Sequence, residues 1–305
     1  MPNIIDMDQG RLLVASDIQG NWEDYCKIRS RFSSLKAEGK ADILVLDGDL
    51  IHGYPGYVDN SVRILDDLID NPDPAVIALL GNHELMHIYH MRVQKAGRSF
   101  VEPFEQQIAY DREKYVGFMK RMPYAIRTLG GVLINHTGAS CVIAFAESDG
   151  VFSGINSLNH DDILNYLKQE IKESMKGIER ELPENFFDKY MPAIGSLFAR
   201  MEIGTFLWDV FFNKNEYDPH KEYAFGYPFI LEDFLQAMSI GRPQNFLISG
   251  HIEVPSGYQV VEDRQLRICS SYGAEESRKT LVLVDASRNY QSIQELVDDL
   301  QLLNR

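Results

Sequence analysis

The strongest constraint on the fold is a series of short apolar runs, each rich in Val, Ile and Leu. Near-continuous apolar character is typical of strands that are buried on both faces. Helix-like segments at 22–36 and 58–70 separate the first three runs, and strand–helix–strand alternation predicts an α/β fold. The predicted strands lie at 11–17, 42–49, 75–82, 131–137, 245–251, 266–271 and 280–286.

The segment 150–240 differs from the strand-forming sequence on either side of it. Apolar residues at spacings of three and four over 163–182 predict an amphipathic helix, and an aromatic-rich stretch follows. The chain has 305 residues, which is long enough to bury one large core. We therefore predict a single domain over 1–305, with a largely helical insertion at 150–240.

The C-terminal segment carries the signal of a helix start. Ser292 and Glu295 have the spacing of a capping box, and they stand before the apolar residues Leu296, Val297 and Leu300. We predict a C-terminal helix that begins after Ser292 and includes these apolar residues.

The net charge limits the partners of the protein. The formal charge is −15 at pH 7, and such a field repels nucleic acid where no basic stripe overrides it. We therefore expect no nucleic-acid partner, whereas a phosphorylated substrate would need local positive charge from metal ions or a few arginines. The sequence contains no apolar run long enough for a membrane span and no signal-peptide pattern at its start, so we expect a cytoplasmic protein without a membrane partner.

The three cysteines are scattered and their spacing fits no zinc motif. Cys26, Cys141 and Cys269 each lie near or within an apolar segment. We expect them to be small buried side chains in a reducing cytosol.

Polar side chains follow five of the predicted strands, at the point where each strand ends. In α/β sheets, ligands gather where the carboxyl ends of the strands open into loops. Oxygen and imidazole ligands from separate loops suit Mn²⁺, Fe or Zn²⁺. The five residues are Asp17, Asp49, Asn82, His136 and His251.

One of these strand ends also matches a motif of a different enzyme class. His83-Glu84-Leu85-Met86-His87 fits H-E-x-x-H, which in zinc proteases places two histidines on one face of a helix. Here Gly81 breaks the preceding strand, so His83 lies at a strand-to-helix turn, and no third ligand follows at the spacing of the metzincin proteases. The protease interpretation also leaves the other four strand ends unexplained, and we interpret the match as accidental.

The five strand ends together resemble the calcineurin-like metallophosphoesterase superfamily, whose pattern is D-x-H, G-D-x-x-D, G-N-H-[DE], H and G-H-x-H. The stretch Gly81–Glu84 and the later "FLWD" at 206–209 are similar to the serine/threonine phosphoprotein phosphatase branch. The resemblance implies a layered α/β metallophosphoesterase sandwich, with mixed β-sheets flanked by helices. It also implies metal-dependent hydrolysis of phosphomonoesters, including phosphoserine or phosphothreonine on proteins. Hydrolysis of a nucleotide or dinucleoside polyphosphate, and a non-catalytic relative that binds a phospho-ligand, remain as alternatives.

The resemblance also implies a role for each motif residue, around two divalent metal ions that are Mn or alternatively Fe or Zn. Asp17 and position 19 bind the first metal, and Asp49 bridges both metals. His83 is the general acid for the leaving oxygen, and Glu84 helps to hold its loop. The implied ligands of the second metal are Asn82, His136 and His251.

Three positions depart from the family pattern. Gln19 replaces a histidine, and its neutral carbonyl oxygen is a weaker ligand for a transition metal. His52 replaces the aspartate that orients the catalytic histidine, so it joins His83 among the candidate catalytic residues. Glu253 replaces the second histidine of the last motif, and we hypothesise that its carboxylate compensates for Gln19. Gln19 and His52 are the features that favour the non-catalytic alternative.

A phosphate dianion favours bidentate donors, so a substrate-binding arginine is expected. Arg200, Arg242 and Arg278 are the candidates, and the sequence does not choose among them. Tyr272 follows a late strand at a position where relatives place a residue near the substrate.

Overall fold

Two β-sheets pack face to face, and helices pack against their outer faces. The computed structural model describes residues 2–54, 56–91, 94–95, 98–99, 101–140, 143–144, 154–174 and 226–304. The strands of the described residues are β1 (Ile4–Met7), β2 (Arg11–Ser16), β3 (Ile43–Asp47), β4 (Val76–Leu79), β5 (Gln94–Lys95), β6 (Arg98–Ser99), β7 (Ala125–Thr128), β8 (Val132–Asn135), β9 (Phe246–Ser249), β10 (Tyr258–Val261), β11 (Gln265–Ile268), β12 (Thr280–Asp285) and β13 (Leu300–Leu302). The helices are α1 (Trp22–Ala37), α2 (Ser61–Asp70), α3 (Asn82–Ile88), α4 (Val101–Ile108), α5 (Arg112–Met119), α6 (His160–Ser174), α7 (Tyr227–Ala237) and α8 (Ile293–Asp298).

The five-stranded sheet has the order β13-β12-β2-β3-β4. Strands β2, β3 and β4 run parallel, with Ser16 opposite Asp47 and Asp47 opposite Leu79. The carboxyl ends of these three strands therefore lie at one edge of the sheet, and the loops that follow them begin side by side.

The six-stranded sheet has the order β1-β7-β8-β9-β11-β10. Strands β8, β9 and β11 run parallel, with Ile134 and Leu266 both opposite Ile248. The loops after β8 and β9, which carry His136 and His251, therefore also begin at one edge.

Alternate residues of the central strands face two different apolar cores. Leu12 and Val14 of β2 join the core between the two sheets, with Ile134 and Ile248. Leu13, between them in sequence, packs with residues of the flanking helices. Each such side chain contributes about 1.5–3 kcal/mol when it is fully buried. A shift of one residue would exchange the two sets, so the register that aligns the strand ends is strongly fixed.

The strand and helix predictions for the two sheet-forming halves are confirmed. All seven predicted strands are present within a few residues of the expected bounds, and so are the first two helices, α1 and α2. Four further strands of the two sheets carry weaker signals, because β10 and β13 are exposed or half-buried and β7 includes the charged residue Arg127. β1 has four residues, of which only Ile4 is buried.

The C-terminal helix is shorter than predicted. α8 ends at Asp298, and Ser292 makes no side-chain capping hydrogen bond. Leu300 belongs instead to β13, which pairs antiparallel with β12. Pairing at the open edge of the sheet overrides the local helix signal, since tertiary contacts outweigh intrinsic propensity.

The helical insertion is described in part. α6 confirms the amphipathic helix up to Ser174, and Ile163 is buried. The rest of this predicted helix, at 175–182, and the "FLWD" stretch lie outside the described residues. The single-domain organisation stays a prediction.

The cysteine prediction is confirmed at one position and wrong at another. Cys269 is buried, but Cys26 is exposed on α1, and Cys141 lies outside the described residues. Among the described helices, none has the length and apolar content that crossing a membrane requires.

Candidate metal site

Backbone hydrogen bonds bring the motif loops together at one edge of the sandwich. The backbone N–H of Gln19 donates to the carbonyl of Asp49 at 2.8 Å. The backbone N–H of His251 donates to the Asp17 carboxylate at 3.0 Å to Oδ2. The backbone N–H of His83 donates to Asp49 Oδ1 at 3.0 Å. The predicted convergence of the strand ends is therefore observed, across both sheets.

Left-handed backbone is concentrated in these loops. L-amino acids other than glycine rarely adopt positive φ, which costs on the order of 1–3 kcal/mol where the surroundings impose it. Such strain clusters at functional sites, where tight turns aim side chains into a common space. Of the eight described non-glycine residues with positive φ, five belong to the motifs, namely Asp17, Gln19, Asp49, His52 and His251.

Three side chains form a compact group of possible metal ligands. The ligand atoms of Asp49, His136 and His251 all lie within 4.8 Å of one another. His136 Nε2 is 3.1 Å from Asp49 Oδ2, and the amide oxygen of Asn82 is 2.9 Å from His251 Nδ1. A carboxylate, an amide oxygen and two imidazoles are donors that Mn²⁺, Fe and Zn²⁺ accept. The residues that the sequence assigned to the second metal therefore meet in one place and fit a divalent ion.

His136 is oriented toward this group by the backbone behind it. Its Nδ1 lies 2.7 Å from the carbonyl oxygen of Asp47, so Nδ1–H donates there and Nε2 faces Asp49. This arrangement is typical of metal-binding histidines, whose second nitrogen is held by a hydrogen bond. Gly48 makes room for it, because a Cβ on this left-handed residue would lie 2.5 Å from His136 Cγ. The glycine of the second motif is thus needed for the position of the imidazole.

The buried charges of the site require a compensating positive charge. Burial alone would raise the pKa of Asp49, but the neighbouring imidazole of His136 brings it below the ordinary value. Burial would lower the pKa of His136, and the Asp49 carboxylate raises it well above the ordinary value. A divalent cation in this place would supply the same positive charge and leave His136 neutral as a ligand.

Asp47 is a buried carboxylate that the sequence analysis did not select. Neither of its carboxylate oxygens has a hydrogen-bond partner among the described residues, and burial raises its pKa to about 8. It ends β3 two residues before Asp49. The sequence does show an acidic residue at the end of a buried strand. The prediction assigned that acidic strand end to Asp49, and Asp47 was therefore not considered.

The residues assigned to the first metal are arranged less compactly. The Asp17 carboxylate is buried and accepts hydrogen bonds from Ser16 Oγ at 2.6 Å and from the backbone of His251. Glu253 is exposed, and both its carboxylate oxygens lie 3.3 Å from the Tyr54 hydroxyl. Asp17 and Glu253 are outside the group whose ligand atoms lie within 4.8 Å. Their roles as ligands, and that of Gln19, stay predictions.

His83 and Glu84 lie in the first turn of α3 and have different environments. His83 Nε2 lies 3.5 Å from Asp49 Oδ2, and its Nδ1 lies 3.3 Å from the carbonyl oxygen of Ile51. Glu84 is fully buried and accepts backbone hydrogen bonds from Leu50 at 2.8 Å, from Gly81 at 3.0 Å and from Asp49 at 3.1 Å. Glu84 therefore joins the second and third motif loops, while His83 stands beside the metal-ligand group.

His52 is buried and contacts a second histidine that the sequence analysis set aside. Its Nε2 lies 2.7 Å from His87 Nε2, and its ring centroid is 4.8 Å from that of His83. His87 Nδ1 in turn lies 2.8 Å from Glu105 Oε1. The i, i+4 spacing of His83 and His87 was a signal that both face the same side of α3, but sequence alone did not connect either of them to Glu105.

A buried polar network fixes the loop that carries Tyr272. One carboxylate oxygen of Asp24 accepts hydrogen bonds from Lys279 at 2.7 Å, Ser271 at 2.6 Å and Asn21 at 2.5 Å. Asn21 follows the first motif, so the network ties that loop to the loop after β11.

Tyr272, on the loop after β11, belongs to a cluster with two tyrosines that follow the second motif. Its ring centroid lies 4.4 Å from that of Tyr57 and 5.7 Å from that of Tyr54. Tyr57 is 62% exposed, so this cluster presents an aromatic surface to solvent. The expectation that Tyr272 lies near the substrate stays a prediction.

Two of the three candidate phosphate-binding arginines, Arg242 and Arg278, lie among the described residues. Arg242 pairs with Asp6 and Asp8 and precedes β9, so it lies at the edge opposite to His251 and is not the phosphate-binding residue. Arg278 is exposed and pairs with Glu275. Arg200 lies outside the described residues.

Solved structures with the same fold include phosphatases. A cold-active protein-tyrosine phosphatase from a psychrophilic Shewanella species matches with a TM-score of 0.55 and 15% identity, over 94% of this chain and 78% of that chain. A protein serine/threonine phosphatase from Saccharomyces cerevisiae matches with a TM-score of 0.51 and 13% identity, over 98% of this chain and 82% of that chain. At these identities the likeness shows the fold alone.

Comparison of the sequence with curated proteins finds no match. The sequence profile of the calcineurin-like phosphoesterases, in contrast, matches residues 10–252. This range contains the motif residues from Asp17 to His251 and ends just before Glu253. The chain belongs to the calcineurin-like phosphoesterase family.

Proposed function

We propose that this protein is a metal-dependent phosphomonoesterase that transfers the phosphoryl group of its substrate directly to water. The observation that carries the proposal is the group of Asp49, His136 and His251, with Asn82 against it and His83 beside it. Membership of a phosphoesterase family supports hydrolysis as the reaction class. The site offers ligands for cations and a proton donor within one small space, which phosphate-ester hydrolysis requires.

Two divalent ions fit the proposal, with Mn favoured and Fe or Zn as alternatives. Asn82, His136 and His251 would hold one ion, and Asp49 would be shared. The first ion would be held by Asp17, Gln19 and Glu253. When bound, such ions supply positive charge that polarises a phosphate ester and makes water a stronger nucleophile.

The protein's own side chains would orient the substrate's leaving oxygen and supply its proton. His83 is part-exposed, with its Nε2 facing the ligand group, so a leaving oxygen that approaches there could take a proton from it. Glu84 holds the backbone of Asp49 and Leu50 in place through buried hydrogen bonds. This contact keeps the shared ligand and the proton donor in a fixed relation.

The favoured substrate is phosphoserine or phosphothreonine on a protein in the cytoplasm. The aromatic surface of Tyr54, Tyr57 and Tyr272 supports a substrate that extends beyond its phosphate group. A nucleotide or dinucleoside polyphosphate is the alternative substrate, since an aromatic surface also suits a base. The net charge of −15 favours neither one, and it opposes nucleic acid.

Hydrolysis of phenyl phosphate with added Mn²⁺ tests the proposal, because its phenolate leaving group depends on a proton. Wild type is compared with His83→Ala and with Glu113→Gln, which changes an exposed carboxylate on α5 as a control. We expect turnover in the wild type and the control, and a loss of about 100-fold or more in His83→Ala, the range for a lost general acid. Absence of turnover in the wild type under any divalent ion would contradict the proposal and favour a phospho-ligand-binding protein.

A further inference from the structure

The second histidine of the H-E-x-x-H match, His87, has a fully buried side chain between two polar partners. Its Nδ1 lies 2.8 Å from Glu105 Oε1 on α4, and its Nε2 lies 2.7 Å from His52 Nε2. Both ring nitrogens are therefore engaged, and they face in opposite directions. One partner lies toward α4, and the other lies on the loop of the second motif.

The carboxylate at the far end of this contact is rigidly held. Arg112 donates from Nε to Glu105 Oε2 at 2.7 Å and from Nη2 to Oε1 at 3.1 Å. Nη2 also donates to the carbonyl oxygen of His87 at 2.6 Å. A bidentate arginine fixes the plane of a carboxylate as well as its position. Helices α3, α4 and α5 are joined at this point.

The charges of these groups assign the direction of each hydrogen bond. Burial would raise the pKa of Glu105, but hydrogen bonds from His87 and Arg112 lower it to about 2, so it is a carboxylate that only accepts. Burial lowers the pKa of His87 and of His52, which leaves both imidazoles neutral. His87 must then donate from Nδ1 to Glu105, and its bare Nε2 must accept from His52 Nε2–H.

His52 lies directly beside the candidate general acid. Its ring centroid is 4.8 Å from that of His83 at an interplanar angle of 41°. The residue before it, Ile51, presents its carbonyl oxygen 3.3 Å from His83 Nδ1. His52 has a left-handed φ of 69° and donates its backbone N–H to Ser61 Oγ at 2.9 Å. A strained backbone of this kind keeps its shape only when surrounding contacts fix it.

We propose that Glu105, His87 and His52 form a hydrogen-bonded chain that positions His83 for proton donation to the leaving group. The chain holds the His52 ring against His83 and holds the Ile51 carbonyl where it accepts from His83 Nδ1. His83 Nε2 is thereby kept facing the ligand group. His52, His87 and Glu105 are positioning residues, and the proposal rests on the proposed phosphomonoesterase function. It explains how His83 is oriented although the second motif has histidine at position 52 in place of aspartate.

Two substrates whose leaving groups differ in their need for a proton can show whether these residues position His83 or only stabilise the fold. 4-Nitrophenolate leaves readily without a proton, whereas phenolate from phenyl phosphate depends on one far more. His87→Leu removes both ring hydrogen bonds at similar volume. We expect it to lower kcat on phenyl phosphate about tenfold more than on 4-nitrophenyl phosphate, with KM and metal content unchanged.

Glu105→Gln is the second variant, in case His87→Leu does not fold, and Glu113→Gln is the charge-matched control on α5. Glu105→Gln should shift the ratio of the two kcat values in the same direction, and the control should leave it unchanged. An equal loss on both substrates, or no loss, would overturn the proposal.

The chain itself can be observed without turnover. Long-range ¹H–¹⁵N NMR of the wild type should show His87 protonated at Nδ1 and His52 protonated at Nε2, and the opposite tautomers would overturn the chain. Failure of the wild type to hydrolyse either substrate would overturn the phosphomonoesterase function, and with it the role of the chain in positioning His83. The histidine tautomers would still show whether the hydrogen-bonded chain exists.

Discussion

The two halves of the candidate metal site differ in how completely their ligands are assembled. On one side, His136 and His251 converge on Asp49 with all ligand atoms within 4.8 Å, and Asn82 touches His251. On the other side, Asp17 lies outside this group although it is tied to His251 by a hydrogen bond, and Glu253 is exposed. The complete half keeps every residue of the family pattern. The open half is the one in which Gln19 and Glu253 replace histidines.

This difference indicates which half of the site is better arranged to bind a transition metal. A buried imidazole with a fixed tautomer, such as His136, is pre-organised for a transition metal. A glutamine carbonyl and an exposed carboxylate would form a looser site of hard oxygen donors, which would suit a hard ion held less tightly. We therefore expect unequal affinities, with the stronger ion on the side of His136.

The largest effect is expected from removing a ligand of the complete half. His136→Ala should lower kcat/KM on 4-nitrophenyl phosphate by more than about 100-fold, because even residues that only support a ligand cost 10–100-fold. Gln19→Ala should cost about tenfold or less, since it removes a weak ligand from the open half. Steady-state kinetics at saturating Mn²⁺ compares the two. Equal losses in both variants would mean that the two halves do not differ.

The reverse substitution, Gln19→His, should strengthen the open half. Position 19 has a left-handed φ of 46°, which histidine tolerates better than most residues. An imidazole there should raise the affinity for the weaker Mn²⁺ about tenfold or more. Competition with a chromophoric chelator measures this affinity. If it does not change, position 19 faces away from the metal.

The smallest effect is expected at Glu253. Glu253→Gln should lower the occupancy of the weaker ion a few-fold and leave the stronger ion in place, because the lost ligand is exposed and screened by solvent. Tyr54→Phe is the matched control, since it removes the hydroxyl beside Glu253 and keeps the carboxylate. Elemental analysis after dialysis gives the occupancies. Full metal content and an undiminished rate in Glu253→Gln would show that this carboxylate is not a ligand.

The ends of the strands could be predicted from sequence. The convergence of Asp17, Asp49 and Asn82 follows from the rule that parallel strands of one sheet open at one edge, and the rule needs only the apolar runs. Arg242 could have been excluded by that rule, because it precedes the strand that leads to His251 and therefore starts from the opposite edge. The convergence of strand ends depends on the positions of the strands in the sheet. Those positions can be recognised from short apolar runs in the sequence.

Side-chain partners between separate helices were not predictable in this way. His87 is hydrogen-bonded to Glu105 on α4 and to His52 on a loop. These residues are far apart in sequence, and no helix or strand periodicity relates their positions. The C-terminal helix shows a second limit, because Leu300 pairs in β13 where local propensity favours helix. In both cases a tertiary contact between distant segments decides the structure, and sequence patterns within one segment carry no trace of it.

The central claim is that catalysis depends on two metal ions held with unequal affinity, and a metal titration followed by turnover tests it most directly. Metal-free protein is titrated with Mn²⁺ while bound metal and 4-nitrophenyl phosphate hydrolysis are measured at each step. We predict one ion bound tightly with little activity, and a rate that rises as the second, weaker ion binds. Binding of no ion, or a rate that is complete with one ion bound, would contradict the account.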